Sequence, residues 1–446
     1  MNKYISDFLA GVCEQIKYKK ICGDIVEELQ GHIYELMDRY IEDGMKEDEA
    51  AQKSIEQMGD PILIGKALNK THRPKTEWSI LFLLGAMVLI GGVTLFFLAN
   101  DQASLLNFNR IFKSYLVYIT IGIVACTVFY FFDYTKLEKY SLFIFITTII
   151  FLLISGKLGR HMNGVPYISI GVLSFNPVSL AFPLFLISFS GLVNRWATGK
   201  IKNMLKLLGC AFSAVFIVLV QPSFSSTMLL SGGFIIIITI AIMSKEFVGN
   251  RKRVLISIYG GATSGILLLL IRILRQGGYK AARLRVFLNP SLDPYGYGYI
   301  NFLLNEMLSS AKLFGKSDSL YSTIEGVHRI ALPEANTDYI FAYIVAAFGW
   351  IMGALTIIVI ALAIVRMFLA TRRIHHSYGR YLACSIVAVF ALQALGNILM
   401  NIGMAPILGF SLPFISYGGT NFVVNMALIG LLLGVYRRKD LIIIHS

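Results

Sequence analysis

The stretch WSILFLLGAMVLIGGVTLFFL at residues 78–98 contains no charged side chain. A helix of about twenty apolar residues spans the hydrocarbon core of a bilayer. Comparable apolar runs recur along the rest of the chain at 111–132, 140–156, 178–194, 204–220, 225–243, 254–274, 339–365, 381–401 and 413–436. The sequence therefore predicts an all-α fold, a polytopic membrane protein of about ten transmembrane helices.

Composition supports a chain surrounded by lipid. Of its 446 residues, 56% are hydrophobic and 15% are charged, too few charges to cover a soluble globule of this size. The formal net charge of +14 would be compatible with nucleic-acid binding. The basic residues, however, lie in short clusters between apolar runs, which indicates membrane orientation instead. We therefore expect membrane lipid, and no nucleic acid, among the partners.

The N-terminal residues 1–75 have a different texture. Residues 1–77 hold 15 of the 26 carboxylates but 11 of the 40 Lys and Arg. Apolar residues at helical spacing predict one helix that ends at Gly44 and a second that begins near Glu47 and ends before Pro61, with a short third helix after it. We predict a small soluble helical domain over 1–75, similar to the helical prefix of some bacterial permeases and regulators, and a membrane domain over 78–440.

The short connections predict the orientation. Alternate loops carry most of the Lys and Arg residues, and such loops stay in the cytoplasm. This pattern holds through all ten predicted spans. It places both termini in the cytoplasm and the long connection at about 275–338 on the outside, so we expect a multi-pass protein of the plasma membrane.

Asp338 is the carboxylate that attracts most interest. It lies in LPEANTDYIFAYI, where the long outer connection meets the eighth apolar run. Partial burial at this boundary would raise its pKa towards values useful for a general base. Thr337 and Asp338 could equally cap the N-terminus of the following helix. The residues by themselves leave both interpretations open.

Two further outer segments contain polar groups among apolar ones. Arg283 and Arg285, followed by Lys312 and Lys316, could bind the pyrophosphate of a lipid-linked donor, or they could contact anionic lipid headgroups. The segment LGFSLPFISYGGTNF has prolines and glycines within an apolar run. It indicates either broken backbone that lines a cavity or close helix packing at small residues.

Several motifs together resemble the FtsW/RodA/SpoVE family, the SEDS proteins of shape, elongation, division and sporulation. PEANTDYIFA at 333–342 resembles the family's PEAHTDFIFA, and LPFISYGG at 412–419 resembles its LPFxSYGG. Upstream of the latter, Asn401, Gly403, Pro406 and Gly409 follow its NxG…P…G spacing. The segments 283–299 and LFGK at 313–316 also resemble family motifs, and all occur in the family's order.

The resemblance implies an enzyme, an inverting peptidoglycan glycosyltransferase that polymerises lipid II with Asp338 as its catalytic base. Lipid II and a class B penicillin-binding protein transpeptidase are then the expected partners. The residues that correspond to motif positions, and would bind substrate, are Arg283, Arg285, Lys312, Lys316, Glu334, Asn336, Thr337, Ser416, Tyr417, Gly418 and Gly419. No His/Asp cluster has metal-ligand spacing, and a requirement for Mg or Mn stays open.

The chain also departs from the family pattern. QPSFSST at 221–227 lacks the acidic residue of QPDxGT, NGVPYI at 163–168 lacks the arginines of NGxRRWI, and Phe182 stands where a lysine is usual. Asn336 replaces the histidine of PEAHTD. These departures keep two alternatives open: a lipid II translocase, and a catalytically weak scaffold for a penicillin-binding protein. The sequence does not distinguish elongation, division and sporulation.

Overall fold

The computed structural model describes residues 2–439 except 18, 20–21, 72–74, 105, 159, 163–164, 171–172, 198–199, 222, 245–246 and 325–326. The chain divides into two compact units. One contains the residues up to Thr76 together with Arg373–His376 and the chain from Tyr436 onward, and the other contains Glu77–Arg372 and Ser377–Val435.

The N-terminal residues form four amphipathic helices, α1 (Lys3–Gln15), α2 (Cys22–Glu42), α3 (Glu47–Met58) and α4 (Pro61–Thr71). Their apolar faces share a core that includes Ile5, Ile25 and Ile33. Gly44 ends α2 as predicted: its φ is 89°, and the bonds Gly44 N–Ile41 O and Met45 N–Tyr40 O form a Schellman motif.

The second unit consists mainly of long apolar helices. Their bounds are α5 (Trp78–Asn100), α6 (Phe108–Phe131), the short α7 (Thr135–Lys139), α8 (Ser141–Leu158), α9 (Pro177–Trp196), α10 (Ile201–Val220), α11 (Phe224–Met243), α12 (Arg251–Gln276), α13 (Gly278–Leu288), α14 (Tyr299–Ser309), α15 (Ile340–Phe348), α16 (Trp350–Thr371), α17 (Ser377–Asn401) and α18 (Gly419–Arg437).

Small strands and one short helix complete this unit. The strands β1 (Arg160–Met162), β2 (Val165–Ile170) and β3 (Leu173–Phe175) pair antiparallel in the order β1-β2-β3. In the long connection, a 3₁₀ turn (Pro290–Leu292) precedes α14, and β4 (Tyr321–Ile324) pairs with β5 (Val327–Ile330).

The all-α membrane fold is confirmed. Among the described residues, nine helices are long and apolar enough to cross a membrane, and α8 is a shorter apolar helix. Together they coincide with the ten predicted runs. Two predicted runs differ in detail: 339–365 is divided into α15 and α16, and 413–436 becomes helical at Gly419.

Gly349 explains the division of the eighth run. Its φ of 96° lies where only glycine is comfortable, so the helix cannot continue through it. The freed backbone groups are satisfied by the connection at 312–317. There, Gly315 N donates to Phe348 O, Ser317 N donates to Ala346 O, and Trp350 N donates to Lys312 O. Broken helix is tolerated at membrane depth when protein pairs its backbone in this way.

Candidate functional site

The predicted base lies in a tight turn between the outer connection and α15. Thr337 N and Tyr339 N both donate to Glu334 O, which folds residues 334–339 back on themselves. Tyr339, at the N-cap position of α15, makes no side-chain capping bond. The capping interpretation of Thr337 and Asp338 is therefore wrong, because Tyr339 occupies the N-cap position and neither of the two residues does.

Two buried asparagines hold the backbone of Asp338. Asn397 Nδ2 and Asn401 Nδ2 donate to Asp338 O over 2.8 Å and 3.0 Å. Both asparagines are 0% exposed and lie one turn apart on α17, so their side chains share a face. The Asp338 carbonyl is thereby fixed to the interior of the helix bundle.

The second motif segment meets the same turn. The Ser416 hydroxyl donates to Thr337 O over 2.7 Å and accepts from Leu412 N, and Tyr417 N donates to Asn336 O over 2.8 Å. The structure thus brings together Asn336, Thr337 and Asp338 with Ser416 and Tyr417, from two stretches far apart in sequence. The sequence motifs predicted the members but not these bonds.

The Asp338 side chain faces a glycine. A Cβ atom on Gly409, whose φ is 71°, would lie 3.2 Å from Asp338 Oδ2, so the absence of a side chain there leaves room beside the carboxylate. Burial raises the pKa of Asp338 to about 6, and the negative charge of Glu334 adds to the rise. A carboxylate with this pKa is a competent base at neutral pH.

Backbone strain is concentrated in the same two segments. In the described part of the chain, the non-glycine residues with positive φ are Glu334 (52°) and Phe414 (64°). Phe414 is held there by ring contacts with Phe390 and Phe422. The exposed Glu334 accepts from the Thr337 hydroxyl over 2.6 Å. Strained backbone of this kind is found at functional sites, where surrounding packing sustains it.

Gly418 and Gly419 have different surroundings. A Cβ on Gly419 would collide with the Tyr118 ring, at 2.2 Å from Cζ, whereas a Cβ on Gly418 would meet nothing closer than 3.9 Å. Gly419 therefore serves close packing against α6, and Gly418 ends the non-helical segment at 402–418. The segment as a whole fits the prediction of broken backbone.

The predicted cations of the outer connection lie on separate elements. Arg285 is exposed on α13, and the side chain of Arg283 lies outside the described residues. Lys312 pairs with Asp318 at 2.7 Å. Lys316 donates to the Tyr321 hydroxyl over 2.7 Å and lies 3.7 Å from Asp101. Within the described residues, none of these contacts joins a cation to the Asp338 turn.

Asp101 and Tyr321 explain the setting of Lys316. Burial by itself would raise the pKa of Asp101, but bonds from the Tyr321 hydroxyl, Ala103 N and Lys316 bring it below its ordinary value. The hydrogen bond to Tyr321 makes the largest contribution to the raised pKa of Lys316. Lys316, which belongs to the 312–317 connection, is therefore held as a cation, and 62% of its side chain is exposed.

The sequence analysis did not identify Asn397 as a site residue. It identified Asn401 only as part of a family motif and did not predict that it binds the Asp338 turn. A usable signal was present: Gln393, Asn397 and Asn401 recur every four residues in an otherwise apolar run. Side chains at this spacing lie on one face of a helix, and amides buried in a membrane need partners. That face is the one that binds the Asp338 turn.

Where the chain departs from the family pattern, the replacing side chains contact other residues of the protein. Phe182 is 7% exposed and belongs to the core around α9. Ser223, which stands where QPDxGT has its acidic residue, donates its hydroxyl to the Ser226 hydroxyl over 2.7 Å. Asn163 and Gly164 lie outside the described residues.

Comparison with known proteins agrees with this geometry. A family model described as "Cell cycle protein", FTSW_RODA_SPOVE, matches residues 75–441. The chain is similar to the probable peptidoglycan glycosyltransferase FtsW of Escherichia coli O6:H1, with 28% identity over 67% of this chain and 70% of the relative. It is similar to the stage V sporulation protein E of Bacillus subtilis, with 27% identity over 73% of this chain and 86% of the relative.

Solved structures show the same fold. The rod shape determining protein RodA of Thermus thermophilus aligns with a TM-score of 0.58 and 17% identity over 82% of this chain and 97% of that one. A chain of a peptidoglycan synthase complex, described for its coordination of polymerization and crosslinking, aligns with a TM-score of 0.67 and 18% identity over 82% of this chain and 98% of that one. The chain therefore belongs to the FtsW/RodA/SpoVE family of cell cycle proteins.

Proposed function

We propose that this protein is an inverting peptidoglycan glycosyltransferase that polymerises lipid II at the outer face of a bacterial plasma membrane, with Asp338 as the base. The observation that carries the proposal is the Asp338 turn. The Asp338 carboxyl group has a pKa of about 6 and lies beside Gly409, and two buried amides hold the backbone carbonyl of the same residue. The names of the relatives, several of them probable peptidoglycan glycosyltransferases, support the same reaction.

The chemistry needs a single base. Asp338 accepts the proton of the acceptor 4-hydroxyl as that oxygen attacks the anomeric carbon of the donor sugar. The bond to undecaprenyl pyrophosphate breaks on the opposite face, and pyrophosphate needs no protonation to leave. An inverting displacement of this type does not need a carboxylate nucleophile. The raised pKa makes Asp338 a stronger base than an ordinary carboxylate while it is still largely ionised at pH 7.

Cations would stabilise the developing pyrophosphate charge. Lys312, Lys316, Arg283 and Arg285 are the candidates on the same connection as Asp338. We also propose a divalent cation, Mg or Mn, as an optional aid. Mg²⁺ is commonly held through one or two carboxylates plus substrate phosphates. Among the described residues no group of three or more His, Cys, Asp or Glu could hold a metal.

A crosslinking partner follows from the same proposal. The solved structural neighbour comes from a peptidoglycan synthase complex, so we propose a class B penicillin-binding protein as the transpeptidase partner of this chain. We place both termini in the cytoplasm because the Lys and Arg residues concentrate in one set of alternate loops. That orientation puts the connection at 277–339, and Asp338 with it, on the outside.

The direct test is polymerisation of purified lipid II by the wild type and by Asp338→Asn, with and without the partner and Mg²⁺ or Mn²⁺. We expect glycan chains from the wild type and none from the variant. Glu306→Gln is the matched control, because Glu306 is an exposed carboxylate on α14 of the same connection, and it should polymerise normally. Equal chain formation by Asp338→Asn would reject the assignment of the base. No chains from either protein, with partner bound, would favour the scaffold or translocase.

A further inference from the structure

We infer that Asn397 and Asn401 are positioning residues that keep Asp338 out of the first turn of α15. This inference rests on the proposed function, since it concerns how the base is held. It adds two residues that hold the Asp338 turn through bonds to its backbone. Neither needs to contact substrate to be essential.

Asn401 replaces a helical hydrogen bond. In a regular helix, Ala342 N would donate to Asp338 O, four residues earlier. Here Ala342 N donates to Asn401 Oδ1 over 3.1 Å, and Asn401 Nδ2 donates to Asp338 O over 3.0 Å. The side-chain amide stands between the two backbone groups as an extra peptide unit would. The first turn of α15 is held open by this insertion.

Asn397 joins the opened turn to the other motif segment. Its Nδ2 donates to Asp338 O over 2.8 Å and also donates to Phe410 O. Phe410 is next to Gly409, the residue that the Asp338 carboxylate faces. One amide therefore sets the distance between the base and the glycine beside it. Asn401 Nδ2 also donates to Asn397 O over 2.8 Å, which links the two amides.

Removal of either amide has a definite structural consequence. With Asn401 absent, Ala342 N loses its buried partner and Asp338 O keeps only the bond from Asn397 Nδ2, so the two backbone groups can bond to each other by closing the turn. Asp338 would then sit at the N-terminus of α15, where the helix dipole favours the ionised carboxylate. Its pKa would fall and the carboxylate would leave its place beside Gly409.

The groups around Asp338 make this change measurable. Within the described residues, Glu334 of the same turn is the charged group that raises the pKa of Asp338. α17 presents the two neutral amides, and residues 402–418 present Gly409 and the Ser416 hydroxyl. A shift after substitution at Asn401 would therefore report the position of Asp338 rather than the loss of a neighbouring charge.

The experiment measures the protonation of Asp338 without relying on activity. An apolar carbodiimide labels protonated carboxyl groups. The folded, full-length protein is labelled at each pH and then digested, and mass spectrometry of the peptides gives the labelled fraction of Asp338. In the wild type, labelling should fall as the pH rises through about 6. In Asn401→Leu and Asn397→Leu the midpoint should move below 6, towards the ordinary value of 3.8.

Asn425→Leu is the matched control. Asn425 is 4% exposed on α18, so it tests the loss of a buried amide that does not bind the Asp338 turn. The control should keep the wild-type midpoint. Thermal unfolding of all variants shows which of them fold, and Asn397→Leu keeps the inference testable if Asn401→Leu does not fold.

Kinetics of lipid II polymerisation provide the second readout. A displaced base should lower kcat about 100-fold with little change in KM, and the acid limb of the pH profile should move in the same direction as the labelling midpoint. A folded Asn401→Leu protein with an unchanged midpoint and an unchanged acid limb would overturn the inference. Failure of the proposed function is a different outcome: Asp338→Asn would remain active, whatever the labelling of the asparagine variants shows.

Discussion

α12 and α17 are nearly identical in length and hydropathy, but they are buried to very different extents in the folded protein. α12 has 26 residues with a mean hydropathy of 2.1, and α17 has 25 residues with a mean hydropathy of 2.0 over their most apolar windows. Only 6% of the α12 window is buried, against 56% for α17. Hydropathy therefore identified both as membrane spans but could not tell which one carries the site.

The two helices differ in what their side chains and glycines contact. Asn397 and Asn401 of α17 are inside the bundle and bind backbone of the Asp338 turn. Gly260, Gly261 and Gly265 of α12 have nothing within 4 Å of an added Cβ. We call α15, α17 and residues 402–418 the site core. Amides cost free energy in lipid unless they are paired, so their presence in a span indicates an interior helix.

Gly349 and Gly277 allow the strongest test of this contrast, since both end helices with positive φ. Gly349, after α15, has a φ of 96°, and an added Cβ would lie 2.4 Å from Leu313 O. Gly277, after α12, has a φ of 68° and open space around it. Both glycines combine a positive φ with an extended ψ, a backbone conformation that costs alanine about 1–3 kcal/mol, and the collision at Gly349 adds to that cost.

We therefore expect Gly349→Ala to lower Tm by many degrees and to abolish polymerisation, because the 312–317 connection must move off the α15–α16 break. Gly277→Ala should lower Tm by a few degrees and leave activity largely intact. Thermal unfolding in detergent and a lipid II assay measure both effects. Equal losses for the two variants would mean that α12 is as tightly held as the site core.

The sequence predicted much of this molecule, for identifiable reasons. Apolar runs near twenty residues marked the spans, and Gly44 marked the end of α2. Gly349 was not recognised as a break, because one glycine in an apolar run is compatible with a continuous helix. The Asp338 turn was predicted as a motif. Its anchoring was not, since nothing local shows that Asn397 binds a carbonyl 59 positions away.

A second pair of glycines tests packing within the two helices. An added Cβ on Gly396 of α17 would lie 2.8 Å from the Phe410 ring, whereas Gly261 of α12 has open space. Gly396→Val should destabilise the protein by about 1–3 kcal/mol through overpacking, and it should lower activity by pushing Phe410 away from Asn397. Gly261→Val should leave Tm within a degree or two. A stable, fully active Gly396→Val protein would contradict the packing of the site core.

The half-buried carboxylate of Asp338 should itself cost stability. Because the pKa of Asp338 in the folded protein is about 6 against an ordinary 3.8, the unfolded chain ionises first as the pH rises. The destabilising contribution of Asp338 is therefore absent below pH 3.8 and develops as the pH rises to about 6. Above that pH the cost reaches about 3 kcal/mol.

Asp338→Asn cannot ionise, so it should have a higher Tm than the wild type at pH 8 and a similar Tm at pH 4, although it is inactive. Arg272→Gln on α12 is the contrasting variant, because Arg272 is exposed, and it should match the wild type at both pH values. Thermal unfolding across this pH range measures the difference. If Asp338→Asn gained no stability at pH 8, the carboxylate would not be desolvated as the structure indicates.

The smallest expected effect on stability concerns the outer connection, which lies between the two helices in sequence. Lys312 pairs with Asp318, with 53% and 80% of their side chains exposed, and such pairs contribute about 0–1 kcal/mol. Lys312→Gln should therefore barely change Tm.

If Lys312 binds the pyrophosphate of lipid II, loss of a charge-assisted bond should raise KM about tenfold, with kcat little changed. Lys113→Gln, which changes an exposed lysine of α6, is the control that should change neither. A rise in KM that is equal for both lysines would indicate general attraction to an anionic surface, whereas no rise for Lys312 would remove it from the substrate site.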